Sequence, residues 1–388
     1  MNLQLTEEQE LVIAMVRRFV RDEILPLEYD LDPDADELDQ ADRARLIEKT
    51  KEMGLYGLDI PPAFGGPDID LVTRTLMAVE MAQHRAGLYA PCYGTFGGAG
   101  LAQLFEATEE QKEKYLYPTL RGEKRGFFGL SEPSGGSDPA RAIQTKAVQD
   151  GDDWIINGGK LWISGADKAQ YGLVFARTAN DKGRNGVTCF IVDTDTPGFA
   201  VRRIVHTLRS AHYATELSFD DMRVPASNIL GELNKGFAIA NDRLTKQRIP
   251  YAAGCIGVAI KAQEMALEYV PQRETFGAPL SSRQSIQWML VDNEIDIKQS
   301  LWVTLEAAAK AQRGEPFRKE AAMAKLVATE AGGRVVDRCM QMFGGLGVAK
   351  DLPFERWFRE MRIRRIGEGP SEVQRHVIAR ELLGSSLR

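Results

Sequence analysis

The sequence predicts an α+β protein of several domains, with a β-domain set between two helical ones. Two textures and one length predict it. From Thr6 to about Gly122, and again from about Gly236 onward, apolar residues recur at helical spacing. Between them, from about Phe127 to Gly231, short β-branched runs are separated by turn residues. At 388 residues the chain exceeds one simple core, and a length prior gives roughly two to three domains. The expected boundaries are 1–125, 126–235 and 236–388.

The elements follow in order. Thr6 and Gln9 form a capping-box pattern ahead of a stripe of Leu11, Met15, Phe19 and Ile24. Leu46 to Met53 and Leu76 to Met81 give two further helices. In the middle, Trp154-Ile155-Ile156, a turn at Asn157-Gly158-Gly159 and Lys160-Leu161-Trp162-Ile163 read as strand, turn, strand. Gly172 to Ala176 and Val187 to Val192 continue the pattern. These strands alternate with turns and not with helices, so an antiparallel sheet is expected and a parallel nucleotide-binding sheet is disfavoured. At the end, Pro370 suits a first helical turn, and Val373, Val377, Ile378 and Leu382 have the spacing of a buried helix face.

Composition narrows the function classes. With 44% hydrophobic and 27% charged residues the chain has the balance of a soluble protein, and no apolar run approaches the length of a bilayer span. Its acidic, cap-bearing start reads as a helix and neither a signal nor a transit peptide, so a cytoplasmic protein is expected. A net charge of −6 argues against nucleic acid as the main partner. Arg356, Arg359, Arg362, Arg364 and Arg365 still form a basic run that is either a solvated helix face or a hold on an anionic cofactor or partner. Cys92, Cys189, Cys255 and Cys339 are far apart and His84, His206, His212 and His376 form no ligand pair, so no metal site or disulfide framework is indicated. Nucleotide-loop, metalloprotease and nucleophile-elbow motifs are absent.

Two stretches carry chemistry. In Arg365-Ile366-Gly367-Glu368-Gly369-Pro370-Ser371-Glu372 a carboxylate lies between glycines just before a helix, open to close approach by a reacting carbon. Taken alone, such an acid is more often a partner of the helix dipole than a base. Phe128-Gly129-Leu130-Ser131-Glu132-Pro133-Ser134-Gly135-Gly136-Ser137-Asp138 offers N–H and O–H donors to a phosphate or flavin edge, or is simply a tight turn.

The second loop closely resembles the first signature of the acyl-CoA dehydrogenases, and Gln341-Met342-Phe343-Gly344-Gly345-Leu346-Gly347 followed by the Glu368 segment resembles the second. Gly54 to Pro61 with Gly65-Gly66, Gly159 to Ser164, and Arg273-Glu274-Thr275-Phe276-Gly277 extend the resemblance over nearly the whole chain. It implies a sandwich- or barrel-like middle domain, a C-terminal four-helix bundle, FAD as cofactor and a homotetramer built as a dimer of dimers. It assigns the flavin to Phe128, Leu130, Ser131, Gly136, Ser137, Trp162 and Ser164, with Pro370 and Glu372 beside it. The diphosphate and adenosine fall to Arg273, Phe276, Gln284, Gln341, Gly344 and Gly345, usually across a subunit boundary. For the acyl-CoA substrate it nominates Ser137, Tyr89, Tyr93, Arg248, Gly367 and Gly369. Glu368 matches the base that removes the α-proton. The other position that relatives use for that acid is Gln247 here, which cannot accept a proton at useful pH. The product would be a trans-2-enoyl-CoA, the β-hydride would pass to flavin N5, and an electron-transferring flavoprotein would be the expected acceptor.

The chain also departs from the pattern. Gly367 replaces the usual aromatic residue, Pro370 the usual threonine, and His212-Tyr213-Ala214 the usual Ser-Asp-Thr. Tyr89 to Gly98 is rich in glycine and tyrosine, which suggests a bulky, branched or ring-bearing acyl group over a long straight one, or packing alone. An oxidase, a flavin monooxygenase, and a catalytically silent flavoprotein that acts as a binding protein are the competing readings.

Overall fold

The computed structural model describes residues 5–180, 185–209 and 214–384, so His212 and Tyr213 lie outside the described residues. Contacts divide the chain into two compact units, Gly98–Leu244 and the remainder on either side of it. The N-terminal and C-terminal helices therefore share one unit.

In that unit α1 (Glu7–Phe19) starts at the expected capping box, with Thr6 Oγ1 accepting from Gln9 N. Helices α2 (Gln40–Glu52) and α3 (Leu71–Met81) are capped by Asp39 and Asp70. Val16, Phe19, Ile24, Leu46, Met77 and Phe96 close a core between them. The C-terminal helices are α4 (Gly236–Tyr269), α5 (Gln284–Gln312), α6 (Arg318–Phe343), α7 (Phe354–Arg364) and α8 (Ser371–Leu383). Small residues such as Ala324, Ala328, Val335 and Ala252 let the long helices pack around one buried cluster. Trp357 of α7 is fully buried, and its indole N–H is shared by the carbonyls of His84 and Arg85 at 3.2 and 3.1 Å. Arg356 pairs with Asp36 and Glu360. The two ends of the chain are thus joined by buried polar contacts as well as by apolar area.

The second unit is built on strands β1 (Gly126–Gly129), β2 (Lys146–Asp150), β3 (Asp153–Ser164), β4 (Tyr171–Arg177), β5 (Val187–Asp193), β6 (Phe199–Val205), β7 (Ala214–Pro225) and β8 (Ile229–Leu230). Their order is β6-β7-β3-β2-β4-β5-β8, with β1 paired to β4. Most pairs are antiparallel, as expected, but β1 runs parallel to β4, and β2 meets it parallel at Lys146 and Arg177. The β2–β3 hairpin intervenes between these strands in the chain, which permits the parallel seam.

One expected turn is absent. Asn157-Gly158-Gly159 lies inside the twelve-residue β3 as a bulge against β7, and the hairpin turn sits at Gly151 instead. Asn157 is held across the bulge by Asp221: its Nδ2 donates to Oδ1 and its Oδ1 accepts from the Asp221 N–H. Residues 102–120, which read in sequence as the end of the first helical domain, pack on the sheet. Gln111 donates to the carbonyls of Ser227 and Ile229, and Thr119 meets the Tyr171 hydroxyl at 2.8 Å.

Candidate active site

Glu368 sits on a short loop between α7 and α8 in left-handed backbone, φ +53°, followed by Gly369 at +88°. A carboxylate-bearing residue held there is strained and must be fixed by its surroundings. Two buried side chains do so. Lys325 Nζ, from α6, donates to the carbonyls of Arg365 at 3.3 Å and Gly369 at 2.9 Å. Gln374 Nε2, from α8, donates to the carbonyls of Glu368 at 3.1 Å and Gly369 at 2.8 Å. Both residues are fully buried. Glu330 completes the clamp by accepting from Ser371 Oγ at 2.6 Å and pairing with Arg365 at 2.9 Å. Pro370 is the cap residue of α8, one position before the first turn in which the sequence places it.

The glycines on either side have distinct reasons. A Cβ at Gly367 would lie 2.6 Å from the Tyr251 hydroxyl, and one at Gly369 2.8 Å from Gln374 Nε2. Tyr251 of α4 thus occupies the space that a side chain at 367 would fill. Its ring also stacks on Arg364. The Arg364 guanidinium carbon is 4.0 Å from the Tyr251 ring centre and 4.3 Å from that of Tyr89, so the cation is held against two tyrosine rings.

Arg248, also on α4, is buried and feels the charge of Glu368; burial lowers it to about 10, repulsion from Arg318 acts the same way, and Glu368 opposes both. Lys325 is lowered by burial to about 8. Burial raises the Tyr251 hydroxyl well above its ordinary value. Buried Arg248, Lys325, Arg364 and Tyr251 and half-buried Glu368 and Tyr89 therefore form one electrostatically connected group within a single compact unit.

The expected substrate residues divide here. Tyr89, Arg248, Gly367 and Gly369 belong to this group, whereas the Tyr93 hydroxyl donates to Glu28 at 2.7 Å in the core beneath. Glu28 also meets His84 Nδ1 at 2.8 Å, and His84 Nε2 accepts from the Cys92 N–H. Burial pushes Glu28 up, but His84, the Arg85 N–H and Tyr93 outweigh it and hold the carboxyl at about 2. This network fixes Cys92 and Tyr93, both at positive φ, at the end of the Tyr89 segment. Most of the basic run is not a solvated face: Arg356, Arg359 and Arg365 are paired with acids and Arg364 lies against two tyrosine rings, whereas Arg362 is exposed.

In the β unit, the Ser131 loop is pinned to β3. Ser131 Oγ donates to the Leu161 carbonyl at 2.6 Å, and the Leu161 N–H returns to the Ser131 carbonyl at 3.0 Å. Beneath the loop, Lys160 and Glu132 form a buried ion pair at 2.7 Å, and Glu132 also accepts from the N–H groups of Gln144 and Thr145. Gly136 and Ser137 remain exposed, as does Ser164. Trp162, at φ +65° beside a register shift in β3, is 56% exposed and offers an open ring. Exposed donors beside an unpacked aromatic face fit a flavin. Phe128 and Leu130 contribute backbone to the loop; the Leu130 side chain is buried, and half-buried Phe128 contacts Phe175 and Arg243.

The nominated diphosphate residues lie at one end of the helical unit. Tyr269 stacks on Phe343 at 4.1 Å, which brings the Arg273–Phe276 turn to the Gln341–Gly345 loop. Arg273, Phe276, Gln284, Gln341, Gly344 and Gly345 are all exposed there, as is Glu372 on α8. Among the described residues no group of three or more His, Cys, Asp or Glu is placed to hold a metal, and no helix is long and apolar enough to cross a membrane.

Comparison with known proteins decides the family. The descriptions acyl-CoA dehydrogenase N-terminal domain, middle domain and C-terminal domain match residues 6–123, 127–222 and 234–383. The chain belongs to the acyl-CoA dehydrogenase family. It is 38% identical to the short-chain specific acyl-CoA dehydrogenase of Clostridium acetobutylicum, over 98% of this chain and 99% of that one. It is 37% identical to the 3-(aryl)acrylate reductase of Clostridium sporogenes, over 97% and 99%. Among solved structures, butyryl-CoA dehydrogenase from Megasphaera elsdenii superimposes with a TM-score of 0.86 at 34% identity, covering 99% of this chain and all of that one. As a member of the acyl-CoA dehydrogenase family the chain is an oxidoreductase, and the family is one of FAD-containing flavoproteins.

Sequence reasoning did not place four residues beside Glu368. Gln374 lies two residues beyond the Arg365–Glu372 stretch, and its role depends on a helix turning its amide back on the loop. Arg364 was hidden in a basic run whose neighbours are salt-bridged. Lys325 and Tyr251 come from helices more than 40 and 100 residues upstream, and no local pattern marks them.

Proposed function

We propose that this enzyme removes the α-proton and β-hydride of an acyl-CoA thioester, with Glu368 as the base. The observation that supports it most is the placement of Glu368: a carboxylate in strained left-handed backbone, flanked by glycines and clamped by Lys325 and Gln374. Such clamping fixes a proton acceptor where a catalytic step needs it. FAD, when bound, supplies the acceptor for the β-hydride. The exposed donors of Gly136 and Ser137 and the open face of Trp162 would hold its flavin, and Arg273, Gln341, Gly344 and Gly345 its diphosphate end. The Glu368 N–H favours negative charge developing on the thioester oxygen. Tyr89, Arg364 and Tyr251 fill space beside Glu368, which favours short, branched or ring-bearing acyl groups over long straight ones. The names of the relatives, short-chain and aryl-acrylate enzymes, agree with this. Reduced cofactor would pass its electrons to an electron-transferring flavoprotein.

The test is anaerobic mixing of the purified protein with a panel of acyl-CoAs while flavin absorbance is followed, beside Glu368→Gln. Bleaching by short or branched thioesters in the wild type and not in the variant is the expected result. Absence of bleaching by every thioester, or palmitoyl-CoA as the best substrate, would count against the reaction and the pocket respectively.

A further inference from the structure

The group around Glu368 holds more buried positive charge than removal of a proton requires. Arg248 is 6% exposed, and its Nε and Nη1 have no hydrogen-bond partner. Arg364 is equally buried, and its Nε has none. Lys325 differs, because its ammonium is engaged by the two loop carbonyls. The carboxylate nearest in sequence to Arg364, Glu360, attracts it but is hydrogen-bonded by Arg356 Nε at 3.1 Å. A cation withdrawn from water without hydrogen-bond partners is costly, and folds keep one where an opposite charge arrives on binding. A hydrocarbon chain would offer these groups nothing.

The Arg364 guanidinium carbon lies over both the Tyr89 and the Tyr251 ring, 4.3 and 4.0 Å from their centres. A guanidinium presents its N–H groups in one plane, which is the geometry that meets a carboxylate with two parallel hydrogen bonds.

We propose that the acyl portion of the substrate carries a carboxylate at its far end, and that Arg364 together with Arg248 receives it. Arg364 is then a specificity residue in the acyl pocket. The proposal rests on the acyl-thioester reading above and narrows it to dicarboxylic monothioesters.

The experiment uses the flavin-loaded enzyme and matched pairs, butyryl- against succinyl-CoA and pentanoyl- against glutaryl-CoA, with kcat/KM read from anaerobic bleaching. Binding of the non-oxidisable thioethers S-propyl-CoA and S-(2-carboxyethyl)-CoA, measured by calorimetry, gives a readout free of turnover. The wild type should favour the carboxylated member of each pair by about tenfold or more. Arg364→Met should erase that preference by weakening the carboxylated members more than the uncharged ones, and Arg364→Lys should keep part of it. Flavin content of each variant reports its folding. Preference of the wild type for uncharged acyl groups would overturn the proposal and leave the dehydrogenase reading standing. Equal weakening of both members by Arg364→Met, or loss of flavin in both variants, would also overturn it, because Arg364 would then serve the thioester, the cofactor or the fold. If no thioester bleaches the flavin and neither thioether binds, both readings fail.

Discussion

Lys325 shows how a residue remote in sequence governs the Glu368 loop. Its ammonium binds the carbonyls on both sides of Glu368 from a fully buried position, and burial lowers its pKa from 10.5 to about 8. Below about pH 8 the folded and unfolded chains both carry this proton. Between about 8 and 10.5 only the unfolded chain holds it, so folding stability should rise with pH across that window. Urea unfolding at several pH values should show that rise in the wild type and a flatter profile in Lys325→Met. The variant should also lose about 1–3 kcal/mol at neutral pH, because the loop carbonyls lose their buried donor. An unchanged profile would mean that Lys325 is not buried as described. At this scale the sequence was legible for Glu368, Gly367 and Gly369, whose spacing announces an open acid. It was not legible for Tyr251, whose hydroxyl fills the missing Cβ of Gly367 only through tertiary packing.

Among elements, the Ser131 loop and β3 illustrate the same division. The glycine- and serine-rich loop and the apolar strand were readable from composition, yet the bulge at Asn157-Gly158-Gly159 was read as a turn. Turn residues and bulge residues share a chemistry, since both need backbone that glycine tolerates; cross-strand pairing to β7 decides between them. Beneath the loop, the Lys160–Glu132 pair is fully buried, so removing one partner leaves the other charge stranded. Lys160→Met should cost about 3–5 kcal/mol and release the loop, lowering the flavin retained after dialysis. Double replacement of Lys160 and Glu132 by Met and Gln should recover part of the stability. A single variant with unaltered urea midpoint and flavin content would show that the pair does not support the loop.

For the whole molecule, the three-domain texture of the sequence was clear, but the grouping into two compact units was not. That grouping depends on contacts such as Trp357 to the His84 carbonyl and Arg356 to Asp36, across more than 270 residues, which no periodicity reveals. The helical unit also carries an unburied apolar stripe on α5. Trp288, Val291, Ile295 and Trp302 lie on one helix face and are 61, 56, 48 and 41% exposed. Faces of this size and composition are covered in soluble proteins. A homo-oligomer is expected, and sedimentation should give a mass several times that of one chain. Trp288→Glu with Trp302→Glu should shift it toward the monomer, whereas a monomeric wild type would contradict the assembly.

The most direct test of the central claim follows the proton itself. An acyl-CoA deuterated at the α-carbon is incubated anaerobically with the flavin-loaded protein, and release of label to water is measured by NMR. Wild type should release it, and Glu368→Gln should do so at least about a hundredfold more slowly. Equal release by the two proteins would contradict Glu368 as the base.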